Sequence, residues 1–211
     1  GMLEEVRIGR YKVSVSKRIA EGGFGFVDLV HDNVSRREYV LKRCSVQRQE
    51  DLDVVSKEIQ MLQKFKGSAL IVEIISSSIC NNNHGKDALL LLEYCSNGHL
   101  LDKILQQGTN PFDIHEIYGI FLQILKAVEI LHESKPYYIV HRDLKLENIL
   151  FNYYEKIEQI SIYFGDMGSI CELGNFNIST FPYPEYDPAE SQCNEVSMIW
   201  GLGCLFCALL C

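Results

Sequence analysis

The longest periodic stretch in the sequence is Ile114 to His132 (IHEIYGIFLQILKAVEILH), where Ile117, Phe121, Ile124, Val128 and Leu131 recur at helical spacing. Such a stripe must bury one face against other structure, so the chain has to build a core around this helix. What precedes it is mostly of another kind. Val13, Val15, Phe24 to Val30 (FGFVDLV) and Glu38 to Arg43 (EYVLKR) read as strands, and Ile71 to Ile75 and Ala88 to Leu92 as two more around the polar Asn81–Gly85 turn. A shorter helical pattern, Asp51 to Lys66, aligns Leu52, Val55, Ile59, Leu62 and Phe65. The pattern predicts an α+β protein: a β-rich lobe over 1–95 and an α-rich lobe over 96–211, joined near Glu93 to Gly98. With 47% hydrophobic residues the chain can bury such a core and is not a disordered segment.

Charge and cysteine usage narrow the function classes. A formal net charge of -8 argues against a general nucleic-acid binder or a basic membrane-surface protein. The eight cysteines repeat no paired spacing, which predicts reduced thiols in a cytosolic protein. Cys204, Cys207 and Cys211 lie in the apolar run Val196 to Cys211 and read as buried core residues rather than zinc ligands. That run is too short for a bilayer span of about 20 residues, so no membrane span is predicted and the run reads as a core helix.

Ala20-Glu21-Gly22-Gly23-Phe24-Gly25-Phe26-Val27 approximates G-x-G-x-x-G with alanine in the first place. In a dinucleotide-binding unit a helix would follow; here FVDLV continues as strand. The segment is therefore a flap whose N–H groups can approach phosphate oxygens, or a plain hairpin turn. Residues downstream favour the flap. Lys42 lies in a strand, and Glu58 stands on the polar flank of the first helical stripe, placed to hold an ammonium group; the bland alternative is a solvated pair. His141-Arg142-Asp143-Leu144-Lys145-Leu146-Glu147-Asn148 follows the long helix. Asp143 and Asn148 suit a base for a hydroxyl and a hard metal ligand, and Asp166-Met167-Gly168 adds a second oxygen ligand for Mg²⁺.

With these motifs in order, the chain resembles a eukaryotic protein kinase. Lys145, two residues after Asp143, resembles the serine/threonine class. The stretches GRYKVSV, IAEGGFGFV, LKRC, KEIQMLQ, HESKP and HRDLKLENIL resemble the Numb-associated kinase family, which includes the adaptor-associated and cyclin-G-associated kinases. The resemblance covers nearly the whole chain to about residue 170. It implies a two-lobed kinase fold with an incomplete C-lobe. It also implies ATP and Mg²⁺ as cofactors, protein substrates among endocytic clathrin adaptors, and a cytoplasmic protein peripheral to coated vesicles. It makes Ile19, Ala20, Glu21, Gly22, Gly23, Phe24, Gly25, Phe26 and Val27 the flap over ATP, and Lys42 and Glu58 the strand lysine and its partner. Leu92 would close the back of the adenine pocket, and Glu93 and Cys95 would offer backbone groups to adenine. Asp143 would be the base, Lys145 would contact the transferred phosphate, and Asn148 and Asp166 would hold metal. Arg142 resembles the arginine that reads a phosphorylated activation segment.

Departures from the pattern set a rival expectation, a non-catalytic nucleotide-binding or scaffolding module. Ala20 and Met167 replace a glycine and a phenylalanine, both tolerable exchanges, and Gly165 before Asp166 is unusual. Thr180 to Glu185 looks like a shortened activation segment, with Pro188-Ala189-Glu190 as an alternative alignment. Met198 stands where an aspartate usually accepts hydrogen bonds, which methionine cannot do in its place. Gly1-Met2 reads as an expression scar, and the terminal apolar helix, lacking later helices to cover it, is expected to drive self-association. All the polar groups that phosphoryl transfer requires are present, which favours the enzyme.

Overall fold

The computed structural model describes residues 1–23, 25–107, 112–135, 138–141, 144–165 and 171–173, together with Leu202, Gly203, Phe206, Leu209 and Leu210. The chain falls into two compact units, one of residues 1–68 and 72–94, the other of residues 69–71 and 95–211.

The first unit is a six-stranded antiparallel sheet with one helix. Its strands are β1 (Glu5–Ile8), β2 (Tyr11–Gly22), β3 (Gly25–Asp32), β4 (Glu38–Val46), β5 (Ile74–Asn82) and β6 (Gly85–Glu93), in the spatial order β1-β2-β3-β4-β6-β5. Alternation of side chains gives the sheet two distinct faces. Val13, Val30, Tyr39, Leu41, Leu89 and Leu91 join Ile8 of β1 in a buried cluster on one of them. The opposite parity, with Lys42, Leu90 and Leu92, is the second face. The helix α1 (Gln49–Lys64) buries Val55, Glu58, Ile59, Met61 and Leu62. It begins two residues before the stretch expected from periodicity. The Asp51 carboxylate accepts the N–H groups of Arg48, at 3.0 Å, and Gln47, at 3.2 Å, closing the entry to the helix. The backbone bond from Arg48, with that residue's side chain next, holds the Asp51 carboxyl below its usual range.

One strand departs from the sequence reading. The apolar run Ile71 to Ile75 does not form a strand of its own. Pairing starts at Ile74 and continues through the polar Ser76–Asn82, because β6 supplies a full ladder out to Asn82 opposite Gly85. Ile71 instead makes a parallel bridge to Phe164 in the second unit. Local apolar content loses here to the partner strand that the fold provides.

The second unit contains α2 (Leu100–Gln107) and α3 (Ile114–His132), the β8–β9 hairpin (Ile149–Tyr154 with Gln159–Phe164), and a short pair of β7 (Tyr138–Val140) with β10 (Cys171–Leu173). The bounds of α3 are those of the periodic stretch. Asp113 caps it by accepting the Glu116 N–H at 2.8 Å, while Glu116 accepts the Asp113 N–H at 2.8 Å. Ile117, Ile124, Val128 and Leu131 are buried as expected, joined by Ile120 and Ala127. Phe121 is half-buried and stacks on Phe206, ring centroids 4.6 Å apart. Leu202, Gly203, Phe206, Leu209 and Leu210 are helical; Leu209 is fully buried and Leu210 exposed. No helix among the described residues is long and apolar enough to cross a membrane.

Candidate functional site

The glycine-rich segment forms a hairpin between β2 and β3. Gly22 pairs with Gly25, Glu21 with Phe26 and Ala20 with Val27, so strand follows the glycines. Gly25 is required twice over. Its φ of +138° lies where side chains are strained, and a Cβ there would run into the Arg43 carbonyl of β4. Gly22, Gly23 and their neighbours Ile19 to Glu21 are exposed. Phe24 lies outside the described residues.

The register then carries the site across the sheet. Ala20 faces Val27, Val27 faces Lys42 and Lys42 faces Leu90, a single cross-strand row on the face opposite the hydrophobic cluster. Leu92, buried and opposite Val40, lies on that same face. Phe26 is turned the other way, onto the cluster face. Lys42 Nζ donates to Glu58 Oε1 at 2.8 Å, with the lysine side chain 17% and the glutamate 4% exposed. Glu58 is thus buried among the apolar residues of α1 rather than on its polar flank. Only an ammonium group delivered by the sheet makes that burial tolerable, since an unpaired carboxylate there would be strongly penalised.

Glu93 ends β6 with two bonds to the same residue. Its N–H donates to the Glu73 carbonyl at 2.9 Å, and its Oε1 accepts the Glu73 N–H at 2.7 Å. Burial raises the Glu93 carboxyl above its ordinary range; the bond from Glu73 opposes this. Cys95 is buried, and its carbonyl accepts the Gly98 N–H at 3.0 Å.

In the second unit, several described residues of the His141–Asn148 stretch are buried. His141 is 2% exposed and meets the Phe164 ring edge-on at 5.6 Å. Leu144 and Leu146 are buried and Lys145 between them is exposed, so the alternation aims the lysine outward. Asn148 closes a 3-10 turn whose N–H donates to the Lys145 carbonyl at 3.0 Å. Its own carbonyl accepts the Gly165 N–H at 3.1 Å, which lashes Asn148 to the chain neighbour of Asp166. The glycine at 165 has a packing reason: a Cβ there would stand 2.8 Å from Leu150 Cδ1. Arg142, Asp143, Asp166, Met167, Gly168, Thr180 to Glu190 and Met198 lie outside the described residues, as do Cys204, Cys207 and Cys211.

Motif reading did not single out Asp28, 1% exposed, or its guanidinium neighbours Arg18 and Arg43. The signal was available: an aspartate inside the apolar FVDLV strand needs a cation.

The protein kinase domain family matches residues 13–211. A probable serine/threonine-protein kinase of Dictyostelium discoideum is 33% identical over 97% of this chain and 20% of its own length. A second from that organism is 35% identical over 81% of this chain and 20% of its own. The serine/threonine-protein kinase ppk30 of Schizosaccharomyces pombe is 28% identical over 95% of this chain and 23% of its own. The chain belongs to the protein kinase domain family. These relatives are named as serine/threonine kinases, and the chain spans about a fifth of their length.

Proposed function

We propose that the protein is an ATP- and Mg²⁺-dependent serine/threonine kinase, with 1–95 as its N-lobe and 96–211 as part of its C-lobe. The observation that carries this reading is the 2.8 Å bond between Lys42 and Glu58. A lysine held by a buried carboxylate presents a fixed positive charge, and fixed charge is what phosphoryl transfer draws on. In this reading Ile19 to Val27, Phe24 included, cover the nucleotide, and Gly22 and Gly25 let backbone N–H groups come close to phosphate oxygens. Leu92 lines the adenine pocket, and Glu93 and Cys95 meet the adenine edge through backbone atoms.

Asp143 orients the substrate hydroxyl and takes its proton; Lys145, aimed outward, neutralises charge on the phosphoryl group as it moves. The amide of Asn148 and the carboxylate of Asp166 are hard oxygen donors suited to Mg²⁺, and the Asn148–Gly165 bond supports the pairing of these two positions. Bound there, the ion would offset phosphate charge. Resemblance to the Numb-associated family makes endocytic adaptor subunits the substrate class and the cytoplasmic side of coated vesicles the place of action.

The test is a phosphotransfer assay on a serine/threonine adaptor substrate with the parent and Asp143→Asn. Transfer should fall by about 10²–10⁴ while nucleotide binding persists, because Asp143 addresses the hydroxyl. Mg-ATP at 100 times its dissociation constant should add about 2.7 kcal/mol of stability to both proteins. Binding without transfer in the parent would favour the non-catalytic module.

A further inference from the structure

The hairpin that carries the glycines extends beyond the hydrophobic cluster. Past Asp28 its rungs are Ala20–Val27, Glu21–Phe26 and Gly22–Gly25, with Ile19 to Gly23 exposed. Gly25 to Val27 are held on their other side by Lys42 to Cys44 of β4, but Ala20 to Gly22 of β2 pair with β3 alone, so this outer arm of the tip needs an anchor besides the ladder. Two irregularities in the β2–β3 register, between Val15 and Lys17 and between Arg18 and Ala20, bend the ribbon as it leaves the sheet.

An anchor is present on the face away from Lys42. The Arg18 guanidinium carbon lies 3.8 Å from the centre of the Phe26 ring, its Nε is 3.2 Å from Asp28 Oδ1, and its Nη1 is 3.8 Å from Glu21 Oε2. Asp28 is itself fixed: it is almost fully buried, and its Oδ2 lies 3.4 Å from Arg43 Nε of β4. One planar cation therefore ties both arms of the tip, through Glu21 and Phe26, to a buried carboxylate at its base. Arginine suits this role because it stacks and pairs at once.

We infer that Arg18 is a positioning residue for the nucleotide, clamping the glycine hairpin at a fixed pitch from the face that the nucleotide does not touch. The inference rests on the ATP reading above for its consequence, though not for the clamp. If the clamp is lost, the binding-competent tip becomes a minority state, and apparent affinity falls by the fraction remaining.

The experiment compares the parent with Arg18→Ala and Arg18→Lys, using hydrogen exchange without nucleotide and steady-state kinetics with ATP. In Arg18→Ala, amides of residues 22–27 should exchange about fivefold faster while those of β4 and α1 keep parent rates. The KM for ATP should rise about fivefold with kcat within about twofold of the parent, the split expected of a positioning effect. Arg18→Lys, which keeps a cation beside Asp28, should recover at least half of both changes. Should Arg18→Ala fold poorly, Phe26→Leu removes the stack alone and should give the same exchange signature. Unchanged exchange at 22–27, or acceleration spread through β4 and α1, overturns the clamp. Faster tip exchange with an unaltered KM overturns the positioning role. A parent that neither binds nor uses ATP counts against the proposed function, and the exchange data then decide the clamp alone.

Discussion

Glu58 and Asp28 are both carboxylates taken almost wholly out of water, 4% and 1% exposed, yet they are held in different ways. Glu58 receives one short bond from Lys42, which is itself largely covered, and the pair joins α1 to β4. Asp28 is flanked by two guanidinium groups on neighbouring strands, one of them half-exposed, and its Oδ2 has no well-aligned hydrogen bond among the described residues. A buried ion pair adds little net stability, because desolvation consumes most of the attraction. A pair as closed as Lys42–Glu58 therefore fits the role proposed for the lysine better than a purely stabilising one. The Asp28 cluster, open at one side and loosely bonded, fits a mechanical role.

The largest expected effect separates chemistry from stability at the first pair. Lys42→Met should abolish measurable phosphotransfer and also destabilise the fold by about 3–5 kcal/mol in urea titrations, because it strands the Glu58 charge. Adding Glu58→Leu should return most of that stability and none of the activity, since apolar replacement of both partners is often neutral. A double variant that regains transfer would dissolve the contrast between the two carboxylates.

At the second site, Asp28→Asn should cost about 1–3 kcal/mol, less than Lys42→Met, because Arg18 can turn to solvent and Arg43 keeps its pair with Glu4. A loss equal to that of Lys42→Met would make the two sites the same kind of object.

Two smaller changes sharpen the comparison at its edges. Burial raises the Glu93 carboxyl, so its folded-state value exceeds the unfolded one. Such a group contributes stability below the unfolded value that is lost as pH rises through the folded value. Glu93→Gln keeps an acceptor for the Glu73 N–H and should be more stable than the parent at pH 7. The gain, about 0.5 kcal/mol after solvent screening, should vanish below about pH 4.3 in paired denaturation curves. Last, Glu4 pairs with Arg43 at 2.9 Å but is 60% exposed. Glu4→Gln should shift stability by no more than about 0.5 kcal/mol, falling to nothing in high salt.

These sites also mark how far a linear reading reaches. The bounds of α3 were legible because its stripe and its Asp113–Glu116 cap are both local. Lys42 and Glu58 were legible as a pair because a lysine directed at phosphate needs a carboxylate and the kinase resemblance names Glu58 as its partner, although the depth of Glu58 was not, since only the packed sheet sets it. The strand through Ser76 to Asn82 was hidden: three serines and two asparagines carry no strand period, and β6 alone imposes their pairing. Gly165 looked like an oddity until the Leu150 side chain beside it explained the missing Cβ. The Arg18–Phe26 stack was beyond reach, because a register shift at Ile19 decides which residues of β2 share a face.

Ile71 has a further consequence for how the chain is made. Its backbone bridge is to Phe164, and the Phe164 N–H donates to the Leu70 carbonyl at 2.9 Å, so three residues inside the first unit's sequence belong to the second. A ribosome delivers Phe164 about 90 residues after Ile71, which at ordinary speeds is a wait of roughly 5–20 s. Through that interval the sheet can form while the Leu70 carbonyl still lacks its bond from Phe164. A nascent chain halted before Phe164 would lack both the Ile71 bridge and the Leu70 bond, so the last pairing of this strip waits on a residue made long after it.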